Sequence, residues 1–236
     1  MDLSRNKFKV CVTLAADSVD KLPSLFSKAT KKEANYVEIR FDHMIYKDID
    51  SALLISSEIK NRAIFTLRSK KEGGFFDGTR KEQVSLLKKM VRAKPMLLDI
   101  EFSILKKDSE FRRYLKYNKV PILVSSHDFR KTPDAASLLE KFRDMRKYSN
   151  YVKLVTTARS IMDNLNILSL YDNSIDTNLI AFAMGDLGVL SRLFCTLYGG
   201  APFTYASLDN PMAPGQLDID LTKKIYDGVG NKLKNK

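Results

Sequence analysis

The side chains of this chain that could do chemistry on a small molecule lie in short runs, the most informative being Tyr151-Val152-Lys153-Leu154-Val155-Thr156-Thr157. The run is β-branched and almost wholly apolar, the pattern of a buried strand, yet it carries a lysine. A buried ammonium must find an anion or lose its proton, and the neutral amine is the nucleophile that imine chemistry needs. On periodicity alone the plainer reading is a lysine whose stem covers apolar surface while its head reaches water. Other polar residues close similar runs: Glu38 and Arg40, two apart and so on one face of a strand; Arg68; Asp99 and Glu101; Ser125-Ser126-His127-Asp128; and Ser191-Arg192 shortly after the seventh run. His43 and His127 are the only histidines, and the carboxylates lack helix-borne ligand spacing, so a metal-assisted reaction is not expected. No serine stands in a nucleophile elbow. An amine, an imidazole on the neighbouring strand and several arginines suit imine catalysis on a small anionic ketone. Lys153 would form the Schiff base, helped toward the neutral amine by Val152, Leu154, Val155 and nearby cations, and His127, with an ordinary pKa of about 6.5, would move the proton.

These residues need a frame that brings strand ends together. Strands are predicted over 9–14, 36–41, 63–67, 96–101, 121–125, 151–157, 179–184 and 203–206. Helices are predicted between and after them, over about 18–32 with Ser18 as cap, 49–60, 79–92, 103–117, 134–147, 159–171, 186–197 and 216–228. Eight β-then-α units in 236 residues fit one α/β (β/α)8 TIM barrel spanning 1–236 as a single domain. In a doubly wound sheet the first strand-to-helix turn would be glycine-rich, whereas here it reads Ala15-Ala16-Asp17-Ser18. In a barrel, polar residues at the C-terminal ends of the strands share one rim.

Composition narrows the partners. The formal charge of +12 raises nucleic acid, but the basic residues alternate with acids along helical segments and the aromatics sit in apolar runs, so a solvated surface is expected instead. No run reaches the roughly 20 apolar residues of a membrane span. Met1 to Lys7 lacks the apolar segment of a signal peptide, so a cytoplasmic protein is expected. Cys11 and Cys195 read as small core residues.

Six runs then match a family in order and spacing: Val37-Glu38-Ile39-Arg40-Phe41-Asp42; Thr66-Leu67-Arg68-Ser69 with Glu72-Gly73-Gly74; Ser125-Ser126-His127-Asp128-Phe129; Val152-Lys153-Leu154-Val155; Ala183-Met184-Gly185 through Ser191-Arg192; and Ala213-Pro214-Gly215-Gln216. Together they resemble the type I 3-dehydroquinate dehydratases over nearly the whole chain. The resemblance implies a shikimate-pathway enzyme that converts 3-dehydroquinate to 3-dehydroshikimate and water through a covalent imine, without cofactor. It makes Lys153 the imine-forming lysine, His127 the proton shuttle, and Glu72 the acid that orients and charges that histidine. Arg192 and Gln216 resemble the carboxylate-binding pair, Glu38, Arg40 and Arg68 the holders of ring hydroxyls and polar rim, and Met184 and Tyr205 the ring walls. Many relatives are dimers, so a homodimer is expected from the resemblance. Glu72 lies in a Gly-Gly loop, which is expected to close over substrate. One position departs: the family usually has serine where this chain has Met212, so either a weaker substrate contact or another donor, such as Ser207, is expected. An imine-forming aldolase would instead need a phosphate site, for which only Gly199-Gly200 is available late in the chain.

Overall fold

Short runs buried on both faces can form a parallel sheet only if helices cover its outer side and side chains fill its inner side. The computed structural model, which describes residues 8–234, has that arrangement. The strands are β1 (Val10–Leu14), β2 (Tyr36–Arg40), β3 (Ala63–Thr66), β4 (Leu97–Glu101), β5 (Ile122–His127), β6 (Tyr151–Thr157), β7 (Asn178–Met184) and β8 (Thr204–Ser207). They form one 8-stranded sheet in the order β7-β6-β5-β4-β3-β2-β1-β8, parallel at every described pairing. The first strand pairs with the last, and among the described residues only the β7–β8 seam lacks a ladder, so the barrel is nearly closed. Across that seam Phe182 and Tyr205 face each other with ring centroids 6.4 Å apart. The signal-peptide reading falls on Met1 to Lys7, outside the described residues.

The helices are α1 (Leu22–Lys31), α2 (Ile49–Ser56), α3 (Arg80–Ala93), α4 (Phe102–Lys107), α5 (Ser109–Asn118), α6 (Ala135–Met145), α7 (Asp163–Leu168), α8 (Val189–Leu197) and α9 (Ile219–Lys234). The predicted helix over 103–117 is divided. Asp108 is extended, and its carboxylate accepts from the Phe111 N–H at 2.8 Å, which starts α5. An aspartate gains more as a cap than inside a helix, and this one interrupts the run. Ser18 does not cap α1: a 3₁₀ turn over Val19–Lys21 intervenes, and the Ser18 hydroxyl makes no cap bond. Thr79 and Glu82, by contrast, form a reciprocal capping box that opens α3 at the predicted place.

The two-residue period of the strands separates core from site. Val152 and Leu154 point outward into the packed layer under the helices, while Lys153 and Val155 point into the barrel, where Lys153 lies in register with Ser125 and Ile180. Cys11 and Cys195 are buried free thiols. No helix of the described residues is long and apolar enough to cross a membrane.

Candidate active site

At the C-terminal ends of the strands lies a cavity of about 100 Å³. Its floor is Lys153, only 5% exposed. The Nζ donates to Glu38 Oε1 at 2.9 Å, lies 3.7 Å from Asp99 Oδ2, and sits 3.9 Å from the centroid of the Tyr205 ring. The sequence suggests cations and apolar neighbours around this amine, but the alternation of β6 turns Val152 and Leu154 away and β2 and β4 supply carboxylates. Lys153 therefore rests in a salt bridge. Glu38 in turn accepts from Thr66 Oγ1 at 3.1 Å and Thr13 Oγ1 at 3.3 Å. Burial pushes the Glu38 carboxyl up, but Lys153, Arg40 and Arg68 outweigh it and hold it below the usual carboxylate range.

Arg68 organises the wall beside it. Its Nη2 donates to Asp99 Oδ2 at 2.6 Å and its Nη1 to Ser125 Oγ at 2.8 Å, and Ser125 donates to Asp99 Oδ1 at 2.6 Å. Burial works against its charge, but Asp99, Glu72, Glu101 and Glu38 offset that and raise its proton affinity. The barrel-end bridge among Glu38, Arg40 and Glu101 that the sequence allows does not form: Arg40 pairs with Asp42, and Glu101 accepts from the Ser69 N–H and hydroxyl at 2.8 and 3.0 Å.

The loop after β3 brings Glu72 to His127. Glu72 Oε2 lies 3.0 Å from His127 Nδ1 and accepts from the His127 backbone N–H at 3.1 Å. Gly74 is required here, since a Cβ on it would stand 2.1 Å from the Arg68 carbonyl oxygen. The loop already lies folded onto the site with Glu72 engaged. Burial pushes Glu72 up to about 8, with Glu101 and Asp99 adding to it and Arg68 opposing; burial, then Arg68, Lys153 and Arg40, drive His127 well below its ordinary value. Glu72 thus contacts Nδ1 of the ring, and burial favours the uncharged form of both groups.

The opposite wall is different. Arg192, on α8, is 3% exposed and lies with its guanidinium carbon 4.3 Å from the Phe182 ring centroid. Its Nε has no hydrogen-bond partner, and its one contact to Pro214 O is long at 3.5 Å. Burial lowers its proton affinity to about 10, and no carboxylate among the described residues lies within salt-bridge distance. Gln216 Oε1 accepts from the Met212 N–H at 2.7 Å, which leaves the amide nitrogen to donate into the cavity. Met184, Met212, Ala213, Pro214 and Tyr205 complete this wall, and the Tyr205 hydroxyl is buried without a partner.

All of Lys153, His127, Glu72, Glu38, Arg40, Arg68, Arg192, Gln216, Met184 and Tyr205 line this one cavity. Ser191 does not: its hydroxyl donates to Gly188 O at 2.9 Å and accepts from the Ala183 N–H, a role in packing α8 on β7. Nor does Ser207, which faces the Asp209 and Leu217 carbonyls at 3.4 Å and supplies no donor in place of Met212. Gly199 and Gly200 lie with Asn178 and Leu179 where β7 begins, at the other end of the barrel. Sequence reasoning missed Thr13 and Thr66, which fix Glu38, and Phe182 and Phe129 in the walls; their strand and loop positions were the available signal. Among the described residues no group of three or more His, Cys, Asp or Glu is placed to hold a metal ion.

The family model described as Type I 3-dehydroquinase matches residues 10–232. A 3-dehydroquinate dehydratase of Dehalococcoides mccartyi is 36% identical over 214 residues, covering 89% of this chain and 93% of its own. Another from Pyrococcus abyssi is 33% identical over 222 residues, covering 94% and 98%. The crystal structure of 3-dehydroquinate dehydratase from Geobacillus kaustophilus aligns with a TM-score of 0.85 at 25% identity, over 94% of this chain and 91% of that one. Fold and family match agree over nearly all the described residues, and the chain belongs to the type I 3-dehydroquinase family.

Proposed function

We propose that this chain dehydrates 3-dehydroquinate to 3-dehydroshikimate, in the shikimate pathway, through an imine on Lys153. The observation that carries the reading is a buried lysine at the floor of a cavity whose far wall holds an arginine with no counter-ion. Arg192 and the Gln216 amide nitrogen take the substrate carboxylate, which supplies the missing anion and turns the ketone toward Lys153. Lys153 must first release a proton, and Glu38 Oε1 is the carboxylate oxygen in contact with it. The amine then adds to the C3 carbonyl and water leaves, giving the imine.

The cationic imine nitrogen acidifies C2. With Nδ1–H donated to Glu72, Nε2 of His127 is free to take the C2 proton, and the electron pair flows into an enamine. His127 returns that proton to the C1 hydroxyl as the C1–O bond breaks, so a second water leaves and a conjugated imine remains. Hydrolysis by water frees Lys153 and the product. Arg40, Arg68 and Glu38 hold the ring hydroxyls, and Met184 and Tyr205 exclude water from the ring. Formation of the conjugated enone is followed by ultraviolet absorbance. Lys153→Met is expected to lower its rate by roughly 10⁴-fold or more; a variant within tenfold of wild type would overturn the reading.

A further inference from the structure

Asp42 does not face the cavity, yet it is among the most heavily used carboxylates in the molecule. Its side chain is fully buried. Oδ1 accepts from Arg40 Nε at 2.8 Å and from the Arg68 backbone N–H at 3.2 Å. Oδ2 accepts from Arg40 Nη2 at 2.7 Å and from the Phe75 backbone N–H at 3.1 Å. Each oxygen therefore serves one nitrogen of a cavity-lining guanidinium and one end of the loop that carries Glu72. We propose that Asp42 is a positioning residue for the dehydration reaction, one that aims Arg40 into the cavity and, by pinning the loop at Arg68 and Phe75, holds Glu72 against His127.

The geometry of the four bonds makes the role specific. Two nitrogens of Arg40 are taken in a bidentate fork, which fixes the plane of the guanidinium and leaves Nη1 toward the cavity. The two loop ends are seven positions apart in the chain, and between them backbone bonds such as Gly74 N–H to Ser69 O and Phe76 N–H to Arg68 O, the Glu101 carboxylate on Ser69 and the exposed Lys70–Asp77 pair add to the hold of Asp42. An asparagine cannot replace this carboxylate. Whichever way its amide turns, the NH2 group meets one Arg40 nitrogen and one loop N–H, donor against donor, so one contact of each kind is lost. Displacement of a proton-transfer group by about 1 Å can cost on the order of 100-fold in rate.

The inference rests on the proposed imine mechanism, and the experiment keeps the two apart. Asp42→Asn is assayed for kcat, KM and pH dependence, alone and in an Arg40→Met background, and is incubated with 3-dehydroquinate and borohydride. Asp42→Asn is expected to raise KM and to lower kcat by about 10- to 100-fold, while still giving the borohydride adduct on Lys153. In the Arg40→Met background the KM effect disappears, because its target is gone, and the kcat loss remains. The acidic limb of the kcat profile also moves to lower pH. Glu72 is faced by Arg68 from the segment after β3, Asp99 and Glu101 from β4 and His127 from β5, and a loosened loop hydrates it against the burial that holds its proton. If Asp42→Asn does not fold, Asp42→Glu carries the same test: the Arg40 fork and KM are retained, while kcat and the pH limb change. Wild-type kcat, KM and pH limb in whichever variant folds would overturn the proposal. Absence of a Lys153 adduct in the wild type would overturn the imine reading instead.

Discussion

On the wall built from β2 to β6 every ionisable side chain lining the cavity has a partner in the protein: Lys153 with Glu38, Arg68 with Asp99, Arg40 with Asp42 and Glu72 with His127. On the wall built from β7, β8 and α8, Arg192 has no carboxylate partner among the described residues, only the Phe182 ring, a 3.5 Å contact to a carbonyl and an Nε without a hydrogen bond. Buried ions are tolerated when paired and costly when not. The paired wall is thus held in place before a ligand arrives, as the proposed proton transfer and bond formation require. The unpaired wall is complete only when an anion enters.

This contrast can be broken most sharply through stability. Arg68→Met removes the cation between Asp99, Glu101 and Glu72, and should destabilise the fold by about 3–5 kcal/mol in chemical denaturation, the usual cost of stranding buried charges. Arg192→Met removes a cation that has no counter-ion, so the loss should stay below about 1 kcal/mol, while KM for the substrate rises on the order of 10- to 100-fold. Equal destabilisation by the two substitutions would contradict the division into paired and unpaired walls.

A smaller effect sharpens the paired side. If protonated Glu72 donates to Nδ1, the ring proton sits on Nε2, and Nε2 of His127 becomes a base only once the pair loses a proton, a step that burial raises to about 8 at Glu72. The acidic limb of kcat/KM is accordingly expected near pH 8 rather than near the ordinary histidine value of about 6.5. The sign for stability follows from the same shift. The folded protein holds the Glu72 proton that the unfolded chain releases at about 4.3, so this contribution is present below that pH and is lost as pH rises through about 8. Glu72→Gln should remove that slope from denaturation measured across this range. His127 acts oppositely, its contribution being lost as pH falls below its unfolded value.

Much of this was legible in the chain. The short β-rich apolar runs and their spacing gave eight strands within a residue or two of their observed ends, and the polar residues closing them gave the rim. That these residues line one cavity was readable because a barrel converts strand-end position into a shared location, with the resemblance supplying Glu72, Gln216, Met184 and Tyr205. Their electrostatic surroundings were not. Val152 and Leu154 adjoin Lys153 in sequence but face the other side of the sheet, whereas Glu38, 115 positions away, touches it. The proton affinities of Glu72 and His127 depend on burial under a loop, and Asp42 acts through backbone amides 26 and 33 positions distant, for which no spacing rule exists. Local chemistry also decided the misplaced helix boundary, where Asp108 competes as a cap with the helix it interrupts.

The most direct test of the account is covalent. Wild-type protein and His127→Ala are incubated with 3-dehydroquinate, reduced with borohydride and mapped by peptide mass spectrometry. The account predicts a reduced adduct on Lys153 in both, with turnover lost by about 10²- to 10⁴-fold in His127→Ala. An adduct on another lysine, or none on a wild-type protein that is turning over substrate, would contradict it.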